Sequence, residues 1–441
     1  MGIIRRRFVA GLLFCTLILA ACARPLPPTP TPLDPPAATP TAPATALPSP
    51  TALLLPTSTL PPLADLLPAP LYFIDAGQIQ RLEIDGVTRR RITNELAPRL
   101  TAGAVREFDI APNGDLAYVI ATREGGTALI TSDALGRQRR VLYERPGVDI
   151  SNPRIAPDGR DVAVRLTPDP ARVADLFGGV YLLPLLPHVV VTAPATPLPD
   201  LFLPFVTSPA AQPRLLHPDD ILDANANPPS RQFIPLRWSP DGKRLVFDGL
   251  YFSNTTCSLA LKDLESGALL TPGSPIEDAV LACGTAVWTR DGSTLMTNLQ
   301  PLGMPVLATG LWQVLPWDGP VVPLLSQQAG EQRQMIIFPH QTASDGIYMF
   351  LTRTTQQPDP SYSPPLRYTM HQYAFDGSIV ALRDDSYDLR EAQWAADDSG
   401  AAIVYVRDLT PALAWLPANG DSLLPLDAEG SDLFNLRWGN S

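Results

Sequence analysis

From Leu71 onward the chain alternates short apolar runs with polar corners that end in glycine. The clearest copies are FDIAPNGDLAYVI (108–120), PRIAPDGRDVAVRL (153–166) and LRWSPDGKRLVFDG (236–249). Weaker ones are AVWTRDGSTLMTNL (286–299), TASDGIYMFL (342–351) and AQWAADDSGAAIVYV (392–406). Several are followed by a strand, an Asp-Gly pair or its like, and a short strand, as in IQRLEIDGVTRRRIT, LWQVLPWDGPVVPLL and MHQYAFDGSIVAL. Each unit therefore predicts four strands, A to D, with tight turns at A–B and C–D. Glycine accepts positive φ in such turns and Asp caps the corner. The B strands (LAYVI, LVF, IVYV) are apolar at consecutive positions, which predicts burial on both faces, as when sheets stack on each other. Repeated four-stranded units of this kind, roughly 45 to 55 residues each, predict an all-β fold: a β-propeller of four-stranded antiparallel blades.

The two ends of the repeat region complete each other. The chain finishes with DLFNLRWGNS, a strand A that stops where its turn would begin. The domain starts with LYFID, GQIQRLEID and TRRRIT, which read as B, C and D without an A. Residues 432–438 are thus expected to close the first blade, and the A strands count to seven. The long step from Gly159 to Gly242 leaves an eighth, degenerate blade as the alternative; the proline-rich stretch 187–211 is read instead as an insertion. The element SPDGKRLVF resembles the repeat of TolB-type, WD-repeat-like propellers, which also occurs in the propellers of some peptidases. The resemblance spans about residues 71–441. It is not the Asp-box of sialidase-like propellers, because Asp241 and Gly242 are adjacent. TolB-like proteins act as interaction platforms in the cell envelope, and the resemblance implies that role here.

The N-terminus departs from the Tol pattern. Arg5, Arg6 and Arg7 precede an apolar run from Phe8 to Ala20, too short for a stable membrane span. Leu19-Ala20-Ala21-Cys22 then looks like a bacterial lipobox. Residues 1–21 are expected to be a signal peptide, and Cys22 to carry a lipid that anchors the protein outside the cytoplasm. Residues 22–70 are dominated by Pro, Thr, Ala and Leu. Such a segment favours extended polyproline II, about 3.1 Å per residue, and reads as a stalk.

Formal charge is −11, so an acidic chain repels phosphate backbones and no nucleic-acid partner is expected. Beyond Cys15 in the signal and Cys22, only Cys257 and Cys283 remain. They form an even pair for an oxidising compartment and are the disulfide candidate.

Motifs for chemistry are sparse. His188, His217, His340 and His371 fall in different units and in no HxH or HExxH pattern. No G-x-S-x-G elbow occurs, and the catalytic domain of the peptidase relatives is absent from the sequence. Asp158, Asp241, Asp291 and Asp345 sit in equivalent turns of separate blades, whereas paired acid–base work needs carboxyls within about 10 Å; they read as turn formers. The residue before the Trp or Ile that ends strand A is Arg437, Asp109, Arg154 and Arg237 in the first four blades. Inner strands line the channel, so these four predict an interblade ion network or an anion-binding level. Arg89, Arg90, Arg91, Arg137, Arg139 and Arg140 lie on D strands, where charge blocks edge-to-edge pairing. With antiparallel strands, the B–C and D–A loops share the face opposite the tight turns. The B–C loops of blades 3 to 6 are long and carry Phe177, Tyr251, Phe252, Met304 and Tyr362. Long loops on a rigid scaffold are where binding usually resides.

The expectation is a monomeric, lipid-anchored propeller that is not an enzyme and holds no metal or cofactor. It would bind a protein, peptide or envelope component. A lactonase-like hydrolase with a metal in the channel, or an envelope sensor, are the alternatives.

Overall fold

The computed structural model describes residues 65–95, 105–122, 126–185, 212–220, 231–251, 257–274, 279–282, 284, 286–301, 309–314, 320–326, 328–329, 332–344, 346–354, 366–429 and 433–439. The described strands form seven antiparallel sheets, each laid out A-B-C-D from the inside, the blades of a seven-bladed propeller. Blade 1 takes its strand A from the C-terminus: Phe434–Trp438 pairs with Leu71–Asp75, which is followed by Gln78–Leu82 and Arg89–Arg91. The register sets Leu71 opposite Trp438 and Tyr72 opposite Arg437, so the expected closure is present. Leu66 and Leu67, just before the expected domain start, already belong to this blade: both amides donate to Ile84 O, and Leu67 is buried.

Blades 2, 3 and 4 have A strands Val105–Ile110, Val148–Ile155 and Arg231–Trp238. Blade 7 begins at Leu389–Trp394. Two blades depart from the plain repeat. In blade 5 strand A is divided into Ala279–Leu281 and Val287–Trp288, both paired with Leu295–Pro301. In blade 6 the short strand Gln328–Ala329 folds back on strand A, Gln332–Gln341. The step from Gly159 to Gly242 holds strand D of blade 3, Arg214–Pro218, so no eighth blade intervenes. The expected insertion at 187–211 lies outside the described residues, between strands C and D of that blade.

The core is a ring of seven apolar seams, one between each successive pair of blades. Leu129 and Val164 meet in the seam of blades 2 and 3, and Phe247 and Leu182 in that of blades 3 and 4. Val404 and Phe73 join blade 7 to blade 1 and close the ring. Consecutive apolar residues on the B strands serve two seams at once: six consecutive residues of the blade 7 B strand, Gly400–Tyr405, are buried. Each fully buried Phe or Leu adds about 1.5–3 kcal/mol.

SPDG is a corner. Gly242 at φ +69 donates its amide to Ser239 O, and Asp241 Oδ1 accepts both Ser239 Oγ and Lys243 N. Blade 5 repeats it with Thr289, Asp291 and Gly292. The Trp that ends strand A ties blades together: the indole N–H of Trp238 donates to Arg154 O, of Trp394 to Phe338 O, and of Trp438 to Gln393 O.

Candidate functional site

Strand A is bulged in blades 1 to 4, 6 and 7. A bulge re-aims the side chains beside it, and here it sets one residue per blade at a common level of the channel. In blade order they are Arg437, Asp109, Arg154, Arg237, Val287, His340 and Gln393, each the penultimate pairing position of its strand A. All four residues singled out in the sequence are on this level, and three are joined. Arg437 Nε donates to Asp109 Oδ1 at 3.0 Å, and Asp109 Oδ2 accepts the amide of Ile155, beside Arg154, at 2.8 Å. Arg154 leans onto the next blade and donates to Leu236 O at 2.7 Å.

Two residues earlier on strand A, carboxylates staple neighbouring blades. Glu391 accepts the amides of Asn435 and Leu436 (2.6 and 2.8 Å), and Glu107 accepts that of Asn152 (2.5 Å). Those amides are presented because Asn435 and Asn152 sit at positive φ in the bulges. Burial pushes the Glu391 carboxyl up despite Arg437 and these amides. Burial likewise pushes Asp248, which accepts Gly284 N, up to about 6.

Arg237 differs from its neighbours. It makes no hydrogen bond or ion pair with the described residues. Water reaches it, yet protein surrounds it, as befits a side chain in the channel. Burial first, then the charges of Arg437 and Arg154, bring it down to about 10. His340, whose place on this level the sequence did not show, completes it. Its Nε2 lies 2.8 Å from Asp398 Oδ1, its ring stacks on Trp394, and burial lowers its basicity.

The loop face offers a second arrangement. Phe177, on the B–C loop of blade 3, is 63% exposed, and its loop is held by two hydrogen bonds. Tyr181 Oη donates to Phe177 O at 2.8 Å, and Asp219 N donates to Gly178 O at 2.9 Å. Asp219 is in turn gripped by both terminal nitrogens of Arg165, each at 2.8 Å, with both side chains 5% exposed. Gly178 is required there, because a Cβ would stand 2.7 Å from Asp219 Oδ2. Across the face, the blade 7 B–C turn is Asp408-Leu409, both at positive φ, with Leu409 95% exposed. A left-handed leucine costs about 1–2 kcal/mol, so this tip is held by its hairpin rather than by its own preference.

Of the other sequence-predicted loop residues, Tyr251 ends strand B of blade 4 rather than lying in the loop. Phe252, Met304, Tyr362, Cys22 and Cys283 lie outside the described residues. Cys257, which opens strand C of blade 4, is disulfide-bonded. The D-strand arginines are largely engaged: Arg89 with Asp75, Arg90 with Glu83, and Arg139 with both oxygens of Glu95. On the tight-turn face a cleft of about 780 Å³ lies between blades 1 and 7, lined by Asp65, Leu67, Glu83, Asp397 and Trp415. Among the described residues no three His, Cys, Asp or Glu side chains gather as metal ligands, and no helix is long and apolar enough to cross a membrane.

The chain matches no family model and no curated protein. Solved structures do match. TolB from Acinetobacter baumannii is 14% identical, with a TM-score of 0.41, over 84% of this chain and 81% of that one. The chain has the fold of a β-propeller. The tricorn protease is 11% identical, with a TM-score of 0.53, over 84% of this chain but 34% of that one. An oligogalacturonate lyase from Vibrio parahaemolyticus is 11% identical, with a TM-score of 0.50, over 81% and 84%. The chain spans 43% of a matching prolyl endopeptidase. These likenesses are of fold alone. They nevertheless correct one expectation: enzymes share this fold, so the propeller and the missing motifs do not make the chain a non-enzyme.

Proposed function

We propose that this TolB-like propeller is a lipid-anchored, extracytoplasmic binding platform that takes a protein or peptide on its loop face. The observation that carries the reading is Phe177, a large aromatic left in water on a corner fixed by Tyr181, Asp219 and Arg165. An exposed aromatic whose backbone is already ordered loses little entropy when it docks, which is what an interface anchor requires. Leu409 adds a second apolar tip on the same face. The signal-like N-terminus and Cys22 support the anchor, and the proline-rich stretch supports a stalk that lifts the propeller from the membrane.

A photo-activatable residue in place of Phe177, used in cells, tests the reading. A discrete protein adduct is expected at 177 and none at Val141, which is exposed on the outer strand of blade 2. Identical patterns at both positions would remove Phe177 from the binding surface.

A further inference from the structure

The channel level described above holds three guanidinium groups and a single carboxylate in direct contact with one of them. Elsewhere in the molecule, arginines taken out of water have partners. Arg165 has Asp219 and Phe233 O, Arg139 has Glu95, and Arg383 has Asp385. Like charges crowded into one channel repel, and a bound anion supplies the counter-charge that relieves them. Arg237 has no such partner: it faces the channel where water reaches it, with five N–H donors, no acceptor among the described residues, and the Arg154 guanidinium bonded to Leu236 O beside it.

The nearby carboxylates do not fill that role. Asp109 spends one oxygen on Arg437 and the other on Ile155 N. Glu391 accepts two main-chain amides, one per oxygen, and Glu107 accepts another. Asp248 is turned to Gly284 N on blade 5. Each is fixed to the backbone of a neighbouring blade. His340 is committed to Asp398, Gln393 is uncharged, and Val287 leaves the blade 5 side of the level apolar. Arg154 is aimed by its bonds to Leu236 O and Pro153 O, toward the blade from which Arg237 projects.

We propose that the channel binds a small oxyanion, a carboxylate or phosphate group, with Arg237 as its principal ligand and Arg154 beside it. A planar guanidinium pairs with two oxygens of such a group in parallel, and a wall of fixed dipoles and low polarisability strengthens the pair. The acidic surface makes general accumulation of anions unfavourable, so binding would report this site and not the whole molecule. The site is distinct from the loop-face corner and does not depend on it.

The test uses the purified full chain at constant ionic strength, with phosphate or malonate replacing chloride. Titration calorimetry and thermal melting are the readouts. The expected result is saturable, one-site binding of at least one of the two oxyanions, with a raised melting temperature that chloride does not reproduce. Arg237→Gln should weaken that binding at least tenfold. Arg90→Gln, on the outer strand of blade 1, should leave it unchanged. Without added oxyanion, Arg237→Gln should melt no lower than the parent, because no bond is lost. No saturable binding of either anion, undiminished binding in Arg237→Gln, or a lower melting point for that variant in chloride would each overturn the proposal.

Discussion

Replacing Asp219 by Ala would test whether the loop-face corner is rigid for the reason given. Arg165 and Asp219 are 54 positions apart, on strand B and just past strand D of blade 3, yet their side chains are each 5% exposed and joined by two 2.8 Å bonds. The pair also bridges two blades, since Arg165 donates to Phe233 O at 2.7 Å and Asp219 accepts Phe233 N at 3.0 Å. Asp219→Ala leaves a buried guanidinium with one carbonyl and a buried amide with no acceptor. Removing one partner of a buried pair costs about 3–5 kcal/mol, most of it the penalty of the charge left behind. The orphaned amide overlaps with that figure, so about 4 kcal/mol is expected. The double variant Arg165→Met/Asp219→Ala removes the stranded charge and should recover most of the loss, giving a coupling energy above about 2 kcal/mol in a double-mutant cycle. Urea unfolding followed by tryptophan fluorescence measures all four proteins. A loss below about 1 kcal/mol for Asp219→Ala, or a double variant as unstable as the single one, would show that the pair does not hold this corner.

Two further outcomes follow from the N-terminus and the cysteines. Cys22→Ala should move the protein from the membrane fraction to the soluble one; unchanged retention would reject the lipid anchor. Peptide mapping without reduction should find Cys257 joined to Cys283, and a free thiol at either would reject that pair.

The architecture was legible because it repeats. Gly at a positive-φ corner, Asp beside it and a doubly buried B strand recur from blade to blade, and Gly242 and Gly159 adopt the conformation their neighbours demand. The closing strand at Phe434–Trp438 could be read from its missing turn. Elements that break the period were not legible, namely the divided strand A of blade 5 and the added strand of blade 6. The place of His340 on the channel level was not legible because the blade 6 turn is one residue shorter than SPDG, which hides its equivalence to Arg237. Arg165 and Asp219 are brought together only by the folding of blade 3, 54 positions apart, so no local spacing announces them. Leu409 occupies a turn where Gly or Asn is the usual signal, and its sequence gives no sign of positive φ. The acidic turns, by contrast, were legible from chemistry: Asp241 and Asp291 spend their oxygens on their own corners.

The central claim is that the loop face binds through Phe177, and the most direct measurement is the affinity of the partner captured at that position. Purified partner should bind Phe177→Ser at least tenfold more weakly than the parent, about 1.4 kcal/mol, and Val141→Ser with unchanged affinity. Equal affinity for Phe177→Ser and the parent would contradict the account.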